Sequence, residues 1–143
     1  MLLIRREFEV DVPPVQAWRL LSRVTEWPSW ARHIRSIEIE PEGELGLGSR
    51  GCVRLRNGVR SAFEMVEFNP HSNWMWVGPF LWLTVRYDHR FAPQGDRRTR
   101  LTWVVEADGI AVGFFGRLFA AIYRRSMERA IPLLVEEMAR CDR

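Results

Sequence analysis

The sheet of this protein is predicted most clearly by residues 86–108, which read RYDHRFAPQGDRRTRLTWVVEAD. Apolar and polar side chains alternate on both sides of the turn residues 93–96, as in two half-buried strands joined by a hairpin. A hairpin centred on Asp96 gives four cross-strand pairs: Arg86–Glu106, Tyr87–Val105, His89–Trp103 and Phe91–Leu101. This register is favoured because an arginine faces an acid and apolar residues face one another.

Apolar and polar residues alternate with the same period of two in the segments that precede this hairpin. It predicts a first strand whose apolar side carries Ile4, Phe8, Val10 and Val12. It then predicts five or six strands over 36–45, 50–57, 60–69, 73–78, 81–92 and 98–108, separated by glycine, proline and asparagine turns. Short turns between consecutive strands indicate an antiparallel meander.

Two of the turns set testable registers. A hairpin centred on Leu47 predicts the pairs Glu40–Arg54, Glu38–Arg56 and Ile39–Leu55. At Asn57-Gly58, a two-residue turn places Phe63 opposite Cys52 and on the charged face. A three-residue loop with a bulge instead restores Val53 opposite Phe63, and we prefer that arrangement.

Apolar residues recur at helical spacing in three segments of the chain. Proline can open a helix, so Pro13-Pro14 followed by Val15, Trp18 and Leu21 predicts a short helix. A second short helix is predicted after Thr25, opened around Pro28. The third is a long helix over 112–140, with Pro132 expected to kink or interrupt it. Its predicted apolar stripe contains Phe115, Leu118, Phe119, Ile122, Leu133, Leu134 and Met138.

The order of elements defines the fold class and the domain count. One strand, two short helices, a run of antiparallel strands and a long final helix make an α+β protein. The apolar face of the sheet needs a cover, and the long helix has an apolar stripe to offer. A length of 143 residues fits a single domain over residues 1–143.

Charge and composition exclude several classes. All 21 basic side chains are arginines, but 18 carboxylates are interspersed with them and leave a net charge of +3, so a nucleic-acid partner is not expected. No apolar run approaches the roughly 20 residues of a membrane span, and the charged N-terminus does not resemble a signal peptide. Two distant cysteines, Cys52 and Cys141, fit a reduced cytoplasmic protein. Composition does not decide the oligomeric state, and it is compatible with a homodimer.

Neither a cofactor nor a metal ion is expected. The glycines of residues 46–51 match the dinucleotide pattern GxGxxG, but they lead into an alternating strand rather than into a helix N-terminus. His33, His71 and His89 stand at no metal-ligand spacing. A glycine-rich hairpin turn and ordinary histidines explain these residues.

Several segments resemble the polyketide cyclase/dehydrase-like proteins of the START and plant-allergen (SRPBCC) superfamily. They are 8–21 (FEVDVPPVQAWRLL), 27–34 with Trp27 and Trp30, 63–70 (FEMVEFNP), 74–76, 89–91 and 99–103 followed by Gly109. The resemblance covers nearly the whole chain. It implies a helix-grip fold, in which a curved antiparallel sheet of six to seven strands surrounds the C-terminal helix and encloses a hydrophobic cavity. Members bind lipids, sterols, polyketides and hormones, and some are cyclases or dehydratases.

The leading functional hypothesis is binding of a hydrophobic or aromatic small molecule, lipid-like or polyketide-like, in that cavity. The predicted lining consists of Phe63, Met65, Trp76, Tyr87, His89, Trp103, Phe119 and Tyr123. A second hypothesis is a metal-free cyclase, aromatase or dehydratase with His89 as acid or base and Tyr87 as hydrogen-bond donor. Simple core packing of His89 and the tryptophans is the alternative to both. A third functional hypothesis is a ligand-independent regulatory or protein-interaction module that uses Arg124 and Arg125.

Overall fold

A computed structural model describes residues 1–141 and shows one seven-stranded antiparallel sheet with a long helix. The strands are β1 (Leu2–Val10), β2 (Ile34–Glu40), β3 (Arg50–Leu55), β4 (Arg60–Asn69), β5 (Asn73–Phe80), β6 (Leu83–Pro93) and β7 (Thr99–Asp108). Helix α1 (Pro14–Leu21) and a 3₁₀ helix (Val24–Ser29) connect β1 to β2, and α2 (Val112–Cys141) ends the fold. The predicted α+β helix-grip architecture is confirmed.

The sheet order β1-β7-β6-β5-β4-β3-β2 makes β1 and β2 the two edges. The segment with α1 and the 3₁₀ helix therefore crosses from one edge to the other. The tryptophans Trp18, Trp27 and Trp30 of this segment are buried and bring it against the curved apolar face of the sheet. Burial of such large rings supplies much of the favourable free energy that holds the crossing in place.

The β6–β7 hairpin has the predicted register. Arg86 faces Glu106, His89 faces Trp103 and Phe91 faces Leu101. The charged side chains deviate slightly from the strict pairing, because the Arg86 guanidinium binds the Asp108 carboxylate two residues further on.

The predicted β2–β3 register is wrong. Glu40 pairs with Arg50, Glu38 with Cys52 and Ile39 with Gly51, four residues from the expected partners. The reason is that β2 ends at Glu40 and the nine residues 41–49 form a long connection whose Leu45 is buried in the core. The Arg54 guanidinium still reaches the Glu38 carboxylate, at 3.6 Å, along the diagonal.

The β3–β4 turn is a three-residue loop, as preferred, but its register differs. Leu55 N–H donates to the Val59 carbonyl at 2.8 Å, which closes the loop around residues 56–58. Phe63 consequently lies opposite Gly51 and not opposite Val53. Gly51 suits this position because a Cβ there would lie 2.4 Å from the Phe63 ring.

The helices differ from the sequence predictions in three details. The second short helix is a 3₁₀ helix that contains Pro28 instead of starting there. Helix α2 continues through Pro132, so the expected interruption is wrong; Pro132 lies on the exposed side, where water can bind the freed carbonyl. Leu118 and Ile122, placed in the apolar stripe, are exposed. The buried side of α2 consists of Met127, Ala130, Ile131, Leu134 and Met138.

A methyl group at Gly78 should destabilise the fold. An added Cβ would lie 2.4 Å from the backbone carbonyl oxygen of Ala62, an atom that cannot rotate away. We expect Gly78→Ala to lower the free energy of unfolding by about 1–3 kcal/mol, as overpacking does. Chemical denaturation measures this. Gly46→Ala is the matched control, since nothing lies within 4 Å of its added Cβ, and equal stability of the two variants would contradict the prediction.

Candidate functional site

A cavity with two chambers lies between the sheet and α2. We call the larger one, of about 160 Å³, the outer chamber and the smaller one, of about 40 Å³, the inner chamber. Four residues belong to the walls of both: Trp27, His33, Ile34 and Tyr123. The chambers are therefore neighbours.

The strands and α2 supply the walls by simple periodicity. Tyr87 and His89 are two residues apart on β6 and so point to the same face of the sheet. Tyr123, Ser126 and Ala130 are three and four residues apart on α2 and share one side of that helix. Together they make an aromatic cleft with few polar groups, which is typical of small-molecule sites.

Two residues in the wall of the inner chamber carry a buried nitrogen atom without a hydrogen-bond partner. His89 Nδ1 and Trp103 Nε1 are buried and have no hydrogen-bond partner within the described residues. Both residues belong to the chamber wall, beside Trp30, Met127 and Ala130. Buried polar atoms are usually hydrogen-bonded, because an unsatisfied one costs about 1–3 kcal/mol. Two such atoms at one small chamber are therefore a feature that needs an explanation.

His89 is held neutral by its surroundings. Its ring lies among tryptophans, stacked on Trp74 at a centroid distance of 5.0 Å and edge-on to Trp76 at 4.9 Å. Burial lowers the pKa of His89 to about 4, and this is opposed only in part by the charge of Asp88 and by hydrogen bonding to the backbone of Trp74 and Tyr87. Near neutral pH, the imidazole is uncharged and offers one donor and one acceptor nitrogen.

The outer chamber carries two half-buried tyrosines and a second histidine. Burial raises the pKa of Tyr123 to about 12. Burial, together with the neighbouring Tyr123, also raises the pKa of Tyr87, so both phenols stay protonated near neutral pH. Burial lowers the pKa of His33. All three groups are neutral hydrogen-bonding groups, and the chamber favours uncharged ligands.

Six of the eight predicted lining residues lie in the chamber walls. They are Phe63, Trp76, Tyr87, His89, Trp103 and Tyr123. Met65 is buried but lines neither chamber. Phe119 stacks on Tyr123 at 5.4 Å and contacts Phe80 at 4.9 Å, outside both chambers. The two candidate catalytic residues, His89 and Tyr87, lie in different chambers.

Several wall residues were missed by the sequence prediction. Trp27 and Trp30 come from the crossing segment and Ile34 begins β2, and their helical spacing was a visible signal that they share a face. His33, Ser61 and Ser126 had no such signal, because their neighbours along the chain are polar or mixed. They enter the walls through the packing of the crossing segment, β4 and α2 against one another.

Other sites fit a ligand less well. A larger open groove of about 490 Å³ lies between α1 and the β2–β3 connection and is lined by charged residues such as Arg19, Arg23 and Glu44. No unpartnered buried side-chain atom of the described residues belongs to it. Among the side chains that the structure describes, no three of His, Cys, Asp or Glu are arranged to hold a metal ion.

Comparison with known proteins identifies the family of this chain. Residues 1–139 match the sequence profile of a family described as polyketide cyclase/dehydrase and lipid transport. The chain belongs to this family. The cavity is therefore to be compared with the ligand sites of this family. No curated protein matches the chain.

Solved structures share the fold of this family member at low sequence identity. A protein from Thermus thermophilus is 18% identical with a TM-score of 0.76, and the match covers 98% of this chain and 99% of that one. A hypothetical protein from Helicobacter pylori is 14% identical with a TM-score of 0.76, over 94% and 86% of the two chains. A norcoclaurine synthase mutant from Thalictrum flavum, in complex with a transition-state analogue, is 17% identical with a TM-score of 0.71, over 94% and 93%.

None of the described helices combines the length and the apolar character needed to cross a lipid bilayer.

Proposed function

We propose that the protein binds a small, uncharged, mainly hydrophobic or aromatic molecule that inserts an oxygen atom into the inner chamber. The observation that carries this proposal is the pair of buried, unpartnered nitrogens, His89 Nδ1 and Trp103 Nε1. An indole N–H is only a donor, so its partner must be an acceptor such as a carbonyl or hydroxyl oxygen. A carboxylate fits less well, because neutral His89 gives no positive charge to compensate a buried anion.

The sizes of the chambers limit the ligand. An apolar cavity of about 150 Å³ in another protein holds benzene. The outer chamber, at about 160 Å³, therefore accommodates one aromatic ring or a short branched chain. The inner chamber, at about 40 Å³, has room for a group the size of one water molecule. A single-ring or similarly short ketone, aldehyde or alcohol is the ligand class that fits both.

The family supports this proposal in general terms. Its description names polyketide cyclases, dehydrases and lipid transport, all of which involve ligands with extended apolar parts and oxygen functions. The norcoclaurine synthase structure, which shares the fold, was determined with a transition-state analogue. The present cavity is smaller than the roughly 300–1,000 Å³ common for ligand sites, which favours a small member of this ligand range.

The test compares ligands that differ in one oxygen. We expect wild-type protein to bind an aryl ketone more tightly than the hydrocarbon of the same shape, because only the ketone satisfies Trp103 Nε1. Trp103→Phe keeps the aromatic wall and removes the donor, so it should reduce the preference for the ketone by about tenfold, the equivalent of one satisfied buried hydrogen bond.

Tryptophan fluorescence titration and native mass spectrometry measure the binding. The matched control is Trp30→Phe, which alters another ring of the same chamber wall and leaves the two unpartnered nitrogens in place. Equal affinity of wild-type protein for ketone and hydrocarbon, or no binding of either class, would overturn the proposal.

Catalysis by His89 and Tyr87 is the second candidate and has weaker support. A base with a pKa of about 4 is a poor proton acceptor near neutral pH. Tyr87 lies in the outer chamber, so the two residues do not converge on one atom from the same chamber. The arrangement favours binding through neutral hydrogen bonds over acid–base chemistry.

A further inference from the structure

An apolar patch is exposed where α2 begins. It consists of Leu81, Trp82, Ile110, Phe114, Leu118 and Ile122, and we call it the α2 patch. Ile110 and Phe114 are 84% and 70% exposed, which is high for side chains of this size. Exposed apolar residues that occur singly are normal, but a contiguous set of six marks an interaction surface.

The members of the α2 patch come together for two reasons. Thr84 pairs with Asp108, so the β5–β6 turn and the start of α2 lie at the same end of the sheet. Phe114, Leu118 and Ile122 are four residues apart and follow one side of α2.

Hydrogen bonding and ring contacts hold the patch in its exposed shape. Trp82 Nε1 donates to the Ile110 carbonyl at 2.7 Å, and its ring contacts Phe115 edge-on at a centroid distance of 4.7 Å. Phe114 in turn contacts Phe115 at 5.0 Å. The exposed rings are therefore fixed by the fold and do not need a partner to assemble them.

The charged residues of the segment that begins α2 have one sign. Residues 109–127 contain three arginines, Arg117, Arg124 and Arg125, and no carboxylate. Asp108, just before this segment, is paired with Arg86 and with the N-terminal ammonium group. Tryptophan, phenylalanine and leucine next to arginines, without acids, are typical of segments that lie in the interface of a lipid bilayer.

We propose that the α2 patch docks on the surface of an anionic lipid bilayer. The arginines favour phosphate-bearing lipids over a second copy of this chain, because the same segment of a second copy would bring further arginines and no carboxylate to the interface. Ile122 belongs both to the patch and to the wall of the outer chamber. Docking therefore sets the outer chamber close to the membrane. This inference is independent of which molecule the chamber binds.

Trp82 provides a direct probe. Of the seven tryptophans, all within the described residues, Trp82 alone is exposed. Vesicles of phosphatidylcholine and phosphatidylglycerol should therefore shield the protein from the quencher acrylamide and shift its emission to the blue, and Trp82→Phe should abolish both changes. Vesicles of phosphatidylcholine alone should have little effect at the same lipid concentration.

Sedimentation with the same vesicles tests both contributions. The double variant Ile110→Glu/Phe114→Glu should lower the partition coefficient at least about tenfold, because it removes the apolar contact and adds two negative charges. Arg117→Gln/Arg125→Gln should lower it about thirtyfold, since each basic residue near an anionic surface contributes about fivefold. These residues are exposed, so the variants should unfold at the wild-type temperature in circular dichroism.

Matched controls come from the opposite end of the sheet. Leu47→Glu changes an equally exposed apolar side chain, and Arg97→Gln removes an exposed arginine of the β6–β7 turn. Neither control should alter vesicle binding. Absence of binding to anionic vesicles, or equal binding of wild type and Ile110→Glu/Phe114→Glu, would overturn the proposal. So would a dimer in light scattering that already hides Trp82 from the quencher without vesicles.

Discussion

Lowering the pH from 7 to 4 should reduce the free energy of unfolding by about 3 kcal/mol through His89 alone. The pKa of this buried imidazole is about 4 in the folded protein against a usual 6.5. Below pH 6.5 the unfolded chain binds a proton that the folded chain does not, so stability falls as the pH decreases. The loss begins near pH 6.5 and is complete below the folded pKa of about 4.

Urea denaturation at a series of pH values measures this effect, with His89→Gln as the comparison. Glutamine is neutral at every pH, so the difference in stability between wild type and variant should decrease by about 3 kcal/mol from pH 7 to pH 4. Other acid-sensitive groups, including His33, are present in both proteins and cancel in this difference. A difference that does not change with pH would show that His89 is not buried as a neutral group.

Filling the outer chamber should abolish ligand binding without unfolding the protein. Ser126 lies in the chamber wall on α2 and is only half buried. In Ser126→Trp, the indole would occupy most of the 160 Å³ that the ligand ring requires. We expect the affinity for an aryl ketone to fall by about a hundredfold or more, since the loss of ring burial removes several kcal/mol.

The matched control is Ala121→Trp, which adds the same indole to an exposed position of α2 that lines neither chamber. Isothermal titration calorimetry gives the affinity, and circular dichroism checks that both variants fold. Tight binding by Ser126→Trp would show that the ligand uses another part of the molecule.

The β6–β7 hairpin shows how far the sequence can predict a register. Its turn is short and both strands alternate cleanly, so one register satisfies the apolar and the charged pairs together. The β2–β3 hairpin also offered a register with good charge pairs, but that register was wrong. The burial of Leu45 in the connection, a tertiary contact, outweighed surface ion pairs that contribute little each.

The candidate site, too, could be predicted from the sequence only in part. Alternation along β4 to β7 is enough to put Phe63, Trp76, Tyr87, His89 and Trp103 on the inner face of the sheet. The helical contribution was harder to predict, because the stripe drawn along α2 included Leu118 and Ile122, which are exposed. The rotation of a helix about its own axis depends on which side docks on the sheet, and several apolar sides were available.

The sequence by itself determined the order of the elements, the antiparallel sheet, the aromatic inner face and the position of His89 on it. Periodicity carries this information, because it records which side chains share a face. Tertiary structure alone decided that the aromatic layers leave two chambers, that His89 Nδ1 and Trp103 Nε1 lack partners, and that Leu118 and Ile122 of the α2 stripe are uncovered. These properties depend on distances between elements far apart in the chain, and a pattern along the chain contains no such distances.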